Sequence, residues 1–322
     1  MISRNKLIGL KNIVFKCANL QSNERLLLIS DKSTYKLMLE LKKIARNLTK
    51  KITTHNLNNI FIHGNEPPKV TAKAMFNSDV IICLTTMSLA HTEARQKATN
   101  RGARYLSLPQ YSEKIFRSKS LNVNFDRFKK KANKIKKILD KNNRITVITE
   151  NGTLMNLDIR DRKANVAPGI CFKPGMIASP PDAEVNIAVN EFKSNGIIVV
   201  DGSVTCGEIG KLNKPIYLIV KNGIIRNIFG TKSLILKKIF RKQKSLKAKI
   251  IGEFGIGLNP KAKVCGIMLI DEGALGTIHF GVGSNSTIGG KNKIPFHLDH
   301  VVKKPTIIVN NKIIMKNGKI KV

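Results

Sequence analysis

Two histidines and an aspartate near the end of the chain have the residue types and spacing to bind a divalent cation. His297 and Asp299 are two residues apart, and side chains at that spacing project from the same face of a β-strand. His279 lies in the apolar run GTIHFGVG, where Gly281 and Gly283 would let a backbone or a ligand approach closely. Neutral imidazole and carboxylate are common ligands of divalent metals. The pattern therefore predicts a metal site.

Two glutamates in apolar surroundings extend this candidate site. Glu184 begins the β-type run EVNIA after two prolines, and Glu253 lies within GEFGIGLNP. A buried carboxylate is costly unless it is paired or bound to a metal. All five residues together would suit two cations with bridging carboxylates, which is a hydrolase arrangement. His279, His297 and Asp299 alone would form the facial triad of a non-haem Fe(II) oxygenase. The residues leave both alternatives open.

The secondary-structure elements that would position these residues are predicted from the hydrophobic pattern, which changes between the first third of the chain and the rest. The first third alternates helical periodicity with short apolar runs, such as VIICLT at 80–85 and a weaker candidate strand at 59–63. This alternation predicts an α/β domain at 1–135 with a Rossmann-like parallel sheet. From residue 144 onward, short β-type runs are separated by NG and DG dipeptides, which are typical of hairpins. We therefore predict a mostly antiparallel, β-rich (α+β) metal-binding domain at 136–322.

The N-terminal domain contributes one catalytic candidate. The segment TTMSLAHTEARQKA puts Ser88 and His91 between a predicted strand and a predicted helix, with Ser88 as a candidate N-cap. Ligands of open α/β sheets bind at this edge, and a helix start attracts anions. The ordinary pKa of histidine is close to physiological pH, so His91 is either an acid–base catalyst or a surface residue that caps the helix. No GxGxxG follows the first strand, so no dinucleotide is implied.

Composition narrows the classes of partner and compartment. The net charge of +36 suggests an anionic partner, but 44 of the 57 basic residues are lysine and the chain has no tryptophan. Nucleic-acid recognition favours arginine and stacking aromatics, so a small-molecule or peptide substrate is the expected partner. No window of 18 apolar residues and no secretory signal are evident. The five scattered cysteines fit a reducing compartment, and we expect a cytoplasmic protein without a membrane partner.

Five segments, in order along the chain, resemble a known enzyme superfamily. The segments are SLAHTEARQKATNRGARYLSLP, PPDAEVNIA, GEFGIGLNP, LGTIHFGVG and HLDHVV. They are similar to the superfamily that joins metallo-aminopeptidases of the aminopeptidase T and S type to 2,5-dihydroxypyridine 5,6-dioxygenase. The aminopeptidase branch implies two cations (Zn, Co or Mn) held by Glu184, Glu253, His279, His297 and Asp299. The dioxygenase branch implies one Fe(II) at His279, His297 and Asp299, and the resemblance also implies a homodimer.

Two positions depart from the aminopeptidase pattern. Ala274 stands where that branch has a glutamate, with Glu272 two residues earlier, and Ser286 stands where it has a tyrosine. Loss of the tyrosine would remove a donor that polarises a substrate carbonyl. We predict a metal-dependent enzyme, in the first place an aminopeptidase-like metalloprotease with Glu272 as general base. The alternative is an Fe(II)-dependent ring-cleaving dioxygenase acting on a dihydroxypyridine-like substrate, with His91 as base. A non-enzymatic alternative is a basic nucleic-acid-binding protein.

Overall fold

The structure is a computed structural model that describes residues 3–58 and 62–322. The helices are α1 Arg4–Asn12, α2 Tyr35–Ala45, α3 Lys69–Phe76, α4 Glu93–Asn100, α5 Glu113–Arg117, α6 Asp126–Asp140, α7 Ser233–Lys242 and α8 Met268–Asp271. The strands are β1 Leu26–Asp31, β2 Ile52–Leu57, β3 Val80–Leu84, β4 Arg104–Ser107, β5 Arg144–Ile148, β6 Leu154–Asp158, β7 Asn165–Ala167, β8 Ile177–Ala178, β9 Glu184–Ala188, β10 Asn195–Val200, β11 Ser203–Val204, β12 Gly210–Lys211, β13 Ile216–Lys221, β14 Ile224–Gly230, β15 Ile251–Gly257, β16 Thr277–Gly283, β17 His297–Lys303, β18 Thr306–Val309, β19 Lys312–Lys316 and β20 Lys319–Ile320.

The chain divides into two compact units. The first unit is Met1–Phe125 with Gly169–Pro181, and the second is Asp126–Pro168 with Asp182–Val322. The predicted boundary after residue 135 falls inside helix α6, which belongs to the second unit. In the part of the chain that the structure describes, no helix has the length and apolar character needed to cross a membrane.

The first unit is built on a five-stranded parallel sheet in the order β2-β1-β3-β4-β8. Its neighbours run parallel throughout, with Leu26 beside Val80 and Tyr105 beside Ile177. All five residues of β3 are buried, as expected for a strand that is covered on both faces. The predicted parallel α/β sheet is confirmed, and its strand order is the flavodoxin-like variant of the doubly wound fold.

Two local predictions in this unit differ from the structure. The second strand is Ile52–Leu57, and the predicted strand at 59–63 includes residues 59–61, which lie outside the described residues. Because β2 is a polar edge strand, it lacks the apolar run by which the other strands are recognised. Helix α4 is capped by Thr92 rather than by Ser88, since the Thr92 side chain accepts a hydrogen bond from the backbone N–H of Arg95.

The second unit contains two antiparallel sheets, which confirms the predicted β-rich character. One sheet has eight strands in the order β14-β13-β10-β6-β5-β18-β19-β20, and the other has seven in the order β12-β11-β17-β16-β15-β9-β7. An NG pair forms the tight turn between β13 and β14, where Asn222 and Gly223 both have positive φ. Such turns match the twist of paired strands. In the seven-stranded sheet every residue of β9, β15 and β16 is buried.

Candidate metal centre

The five predicted metal ligands lie on four consecutive strands of the seven-stranded sheet. Strand β9 carries Glu184, β15 carries Glu253, β16 carries His279, and β17 carries both His297 and Asp299. These strands are direct neighbours in the order β17-β16-β15-β9. Each ligand projects from the same face, because side chains alternate along a strand and the cross-strand register aligns the positions. The structure therefore brings all five together.

A glycine lies directly opposite each ligand on a neighbouring strand. The pairs are Glu184 with Gly257, Glu253 with Gly281, His279 with Gly255, Asp299 with Gly281, and His297 with Gly283. A Cβ added at Gly255 would lie 2.1 Å from Nε2 of His279. A Cβ at Gly281 would lie 2.7 Å from Cε1 of His297. Two of these glycines therefore provide the space in which the imidazole rings lie, as the sequence indicated for Gly281.

Glu253 lies between the two histidines. Its Oε1 is 3.8 Å from Nε2 of His279, and its Oε2 is 3.3 Å from Nε2 of His297. The Oε2 atom of Glu184 is 3.3 Å from Nε2 of His279, and Oδ1 of Asp299 is 3.1 Å from Nε2 of His297. Two donor groups result, Glu184–Glu253–His279 and Glu253–His297–Asp299, and they share Glu253.

These separations fit a cation. Ligands about 2.1 Å from one ion lie about 3.0–3.4 Å apart in octahedral or tetrahedral geometry. Oε2 of Glu184 is buried and has no hydrogen-bond partner among residues 3–58 and 62–322. Nδ1 of His297 donates a hydrogen bond to the backbone O of Ser284 at 2.8 Å, so Nε2 is the ring nitrogen that can bind a metal once it has lost its proton. Donor types, spacing and the unpartnered oxygen all suit a divalent cation.

The cluster is buried except at one side. Glu184, Glu253, His279 and Asp299 are all less than 10% exposed, whereas the His297 side chain is 34% exposed. Asn186 holds Glu184 in place, because its Nδ2 donates to Oε1 of Glu184 at 2.6 Å. The metal-binding groups are therefore held in place on their buried side and accessible to solvent beside His297. A catalytic metal requires this arrangement, because one coordination position must stay open to substrate or water.

The carboxylates and histidines shift each other's proton affinity. Burial opposes protonation of both histidines, but Glu184 next to His279 and Asp299 next to His297 outweigh it and raise both pKa values to about 10. Burial acts to raise the pKa of Asp299, yet the His297 charge holds it well below its usual value. Burial raises the pKa of Glu184 to about 7, although His279 opposes the shift. Without a cation, this cluster holds protons at neutral pH.

Two further carboxyl groups belong to the cluster. Glu272, predicted as a general base, contacts Asp299, and burial followed by the Asp299 charge raises its pKa well above normal. Asp182 was not predicted, and burial together with the neighbouring Glu184 raises its pKa in the same direction. Its position two residues before Glu184 was the available signal, because this spacing repeats that of His297 and Asp299.

His91 lies in the first unit, in an exposed turn before α4, and the five ligands all lie in the second unit. Its catalytic role stays a prediction. The start of α4, which the sequence indicated as an anion site, already binds a carboxylate of the same chain. The backbone N–H groups of Glu93 and Ala94 donate to the Glu66 oxygens at 2.5 and 3.2 Å. A substrate anion would have to displace Glu66 there.

Comparison with known proteins identifies the family. The family model described as NicX, 2,5-dihydroxypyridine 5,6-dioxygenase, matches residues 6–322, and the chain belongs to this family. The predicted superfamily is thereby confirmed.

Solved structures share the fold. The 2,5-dihydroxypyridine dioxygenase of Pseudomonas putida KT2440 superposes with a TM-score of 0.83 at 19% identity, over 99% of this chain and 98% of that chain. AmpT from Thermus thermophilus superposes with a TM-score of 0.69 at 11% identity, over the full length of both. No curated protein sequence matches the chain. The family match favours the dioxygenase branch over the aminopeptidase branch, which the sequence ranked first.

Proposed function

We propose that this protein is an Fe(II)-dependent ring-cleaving dioxygenase acting on a dihydroxypyridine-like substrate. The observation that carries the proposal is the family match over residues 6–322. The cluster of two histidines and several carboxylates supports it, because such ligands suit non-haem ferrous iron. The exposed side of His297 supports it further, since a substrate and dioxygen both need access to the metal.

His279, His297 and Asp299 would hold the iron, with Glu253 between the two rings. A ferrous ion there would supply the one-electron chemistry that allows dioxygen to react with an aromatic ring. Burial and the neighbouring Asp299 charge raise the pKa of the Glu272 carboxyl well above normal, which favours the protonated form that can donate a hydrogen bond to Asp299 and hold its orientation. Asn186 does the same for Glu184 through its amide. The chain's own groups thus orient the ligands before any substrate binds.

Oxygen consumption tests this proposal. Protein loaded anaerobically with Fe(II) should take up dioxygen when 2,5-dihydroxypyridine is added, and the ring absorbance should disappear at the same rate. His297→Ala should abolish both signals, whereas Lys134→Gln on the exposed face of α6 should retain them. A preparation that contains stoichiometric iron but consumes no oxygen with a panel of aromatic diols would contradict the proposal.

A second candidate function is a two-metal aminopeptidase-like hydrolase. The observation that favours it is that two donor groups share Glu253, because bridging carboxylates are typical of paired cations. Elemental analysis separates the candidates: a hydrolase would bind two cations per chain, and Glu184→Ala would lose one of them. One iron per chain that is insensitive to Glu184→Ala would favour the dioxygenase. The predicted cytoplasmic location, homodimer and lack of a nucleic-acid partner stay predictions.

A further inference from the structure

The second compact unit contains a basic cavity that none of the metal ligands lines. Its volume is about 550 Å³, within the range of small-molecule sites. Its walls come from the loop after β6 (Arg160–Arg162), the loop after β9 (Asn190–Lys193), the segment before β15 (Lys247 and Ile250), and Lys291–Asn292. Several separate stretches of chain therefore converge on one concave surface.

The basic cavity carries uncompensated positive charge. Its lining includes five basic residues, Arg160, Arg162, Lys193, Lys247 and Lys291, and two acidic residues, Asp161 and Glu191. Glu191 is already used: it pairs with Arg162 at 2.7 Å and accepts hydrogen bonds from Asn285 Nδ2 and the backbone N–H of Lys291. The ammonium groups of Lys193, Lys247 and Lys291 form no ion pair within the described ranges 3–58 and 62–322. An anion would find free charge there.

An aromatic ring lies at the same cavity. Phe192 is 55% exposed, and its φ of 66° is in the left-handed region that bulky residues rarely adopt. Its backbone packs against the β13–β14 turn so closely that a Cβ at Gly223 would lie 2.5 Å from the Phe192 nitrogen. The fold therefore holds this residue in an unfavourable conformation with its ring outside the core. Exposed aromatic rings of this kind serve as stacking surfaces for planar ligands.

We propose that the basic cavity binds an aromatic anion of mononucleotide size, with its ring on Phe192 and its phosphate or carboxylate at Lys247 and Lys291. The volume, the free positive charge and the exposed ring carry the inference together. A single lysine on the surface of this lysine-rich chain would not support a binding site, since solvated lysines are common. Three lysines around one concave surface beside an exposed ring are the arrangement that a planar anion fits. The inference is independent of the proposed function.

Titration calorimetry with AMP, adenosine and inorganic phosphate tests the proposal. We expect AMP to bind at least about fivefold more tightly than either of the other two. Phe192→Ala should weaken AMP about fivefold or more and leave phosphate unchanged, because only the base stacks. Lys247→Gln with Lys291→Gln should weaken both AMP and phosphate. The matched control is Lys130→Gln with Lys134→Gln, an equal charge change on the exposed face of α6, and it should retain wild-type binding.

Three results would overturn the proposal. One is an absence of heat with AMP up to about 10 mM for folded wild-type protein. Another is an equal loss of affinity in the α6 control, which would assign binding to net charge alone. The third is an affinity for oligoadenylate that rises steadily with length, since an extended strand would then be the ligand. Circular dichroism and the thermal midpoint of each variant verify that all of them are folded.

Discussion

Replacing Gly255 by alanine should disable one of the two donor groups of the metal centre. An added Cβ would lie 2.1 Å from both Cε1 and Nε2 of His279, whereas ordinary contact begins at 3.4 Å. The ring would therefore have to move by about 1.3 Å, and it is 2% exposed in a densely packed sheet. A displacement of that size would take Nε2 of His279 out of reach of any cation that this ring helps to hold.

Two magnitudes follow from this clash. Over-packing a buried position lowers the free energy of unfolding by about 1–3 kcal/mol. Misplacing a ligand lowers metal affinity by about 10–100-fold, as the loss of a supporting partner does. Urea unfolding of the metal-free protein measures the first quantity, and calorimetric titration with Fe(II) under anaerobic conditions measures the second.

Gly207→Ala is the matched control. No heavy atom lies within 4 Å of a Cβ added at Gly207, and its φ is outside the left-handed region. Alanine there should leave stability unchanged or raise it by about 0.4–1 kcal/mol. If Gly255→Ala unfolds at the wild-type urea concentration and binds iron with wild-type affinity, then His279 does not occupy the space opposite Gly255, and the reasoning fails.

Three further predictions concern the pH dependence of metal binding, the hydrogen bond that supports Glu184, and the carboxylate bound at the start of α4. Because the pKa values of His279 and His297 are raised to about 10, a cation must displace protons at neutral pH. Metal affinity should therefore rise between pH 6 and 9, and the calorimetric heat of metal binding should depend on the ionisation enthalpy of the buffer. Equal metal affinities across that pH range would contradict this prediction. Asn186→Ala should lower the affinity for a second cation, the one that the two-metal candidate places at Glu184, about 10–100-fold by freeing that carboxylate, and it should leave a single iron at His279, His297 and Asp299 bound; loss of that iron would contradict this role. Glu66→Ala should lower the free energy of unfolding by about 0.5–2 kcal/mol, since α4 loses its carboxylate; an unchanged urea midpoint would refute that role.

The sequence predicts which ligands share a face of one strand, but it does not predict which strands are neighbours in the sheet. His297 and Asp299 share a face because side chains alternate, a rule that needs no tertiary structure. That β9 lies next to β15, so that Glu184 reaches His279, depends on strand order, which local pattern does not encode. Asp182 was missed for a related reason, because a proline-rich approach to a strand has the pattern of a loop.

Two other sequence predictions, the position of the second strand and the N-cap residue of α4, differ from the structure for local reasons. Strand β2 forms through main-chain pairing with β1 at a sheet edge, so its sequence ITTHNL has no need of an apolar run. Ser88 and Thr92 are both good N-cap residues, and the choice depends on where α4 begins, which varies by a few residues in any sequence-based assignment.

The return of Gly169–Pro181 to the first unit has a consequence for dissecting the protein. Strand β8 lies in that returning segment and pairs with β4 at one edge of the parallel sheet. A fragment that stops at Phe125 would therefore lack its fifth strand and expose the main-chain N–H and C=O groups of β4. Exposed edges of this kind pair with other chains and aggregate. A soluble fragment of the first unit would need the segment 169–181, which contains β8, joined back to it, for example by a short linker after residue 125.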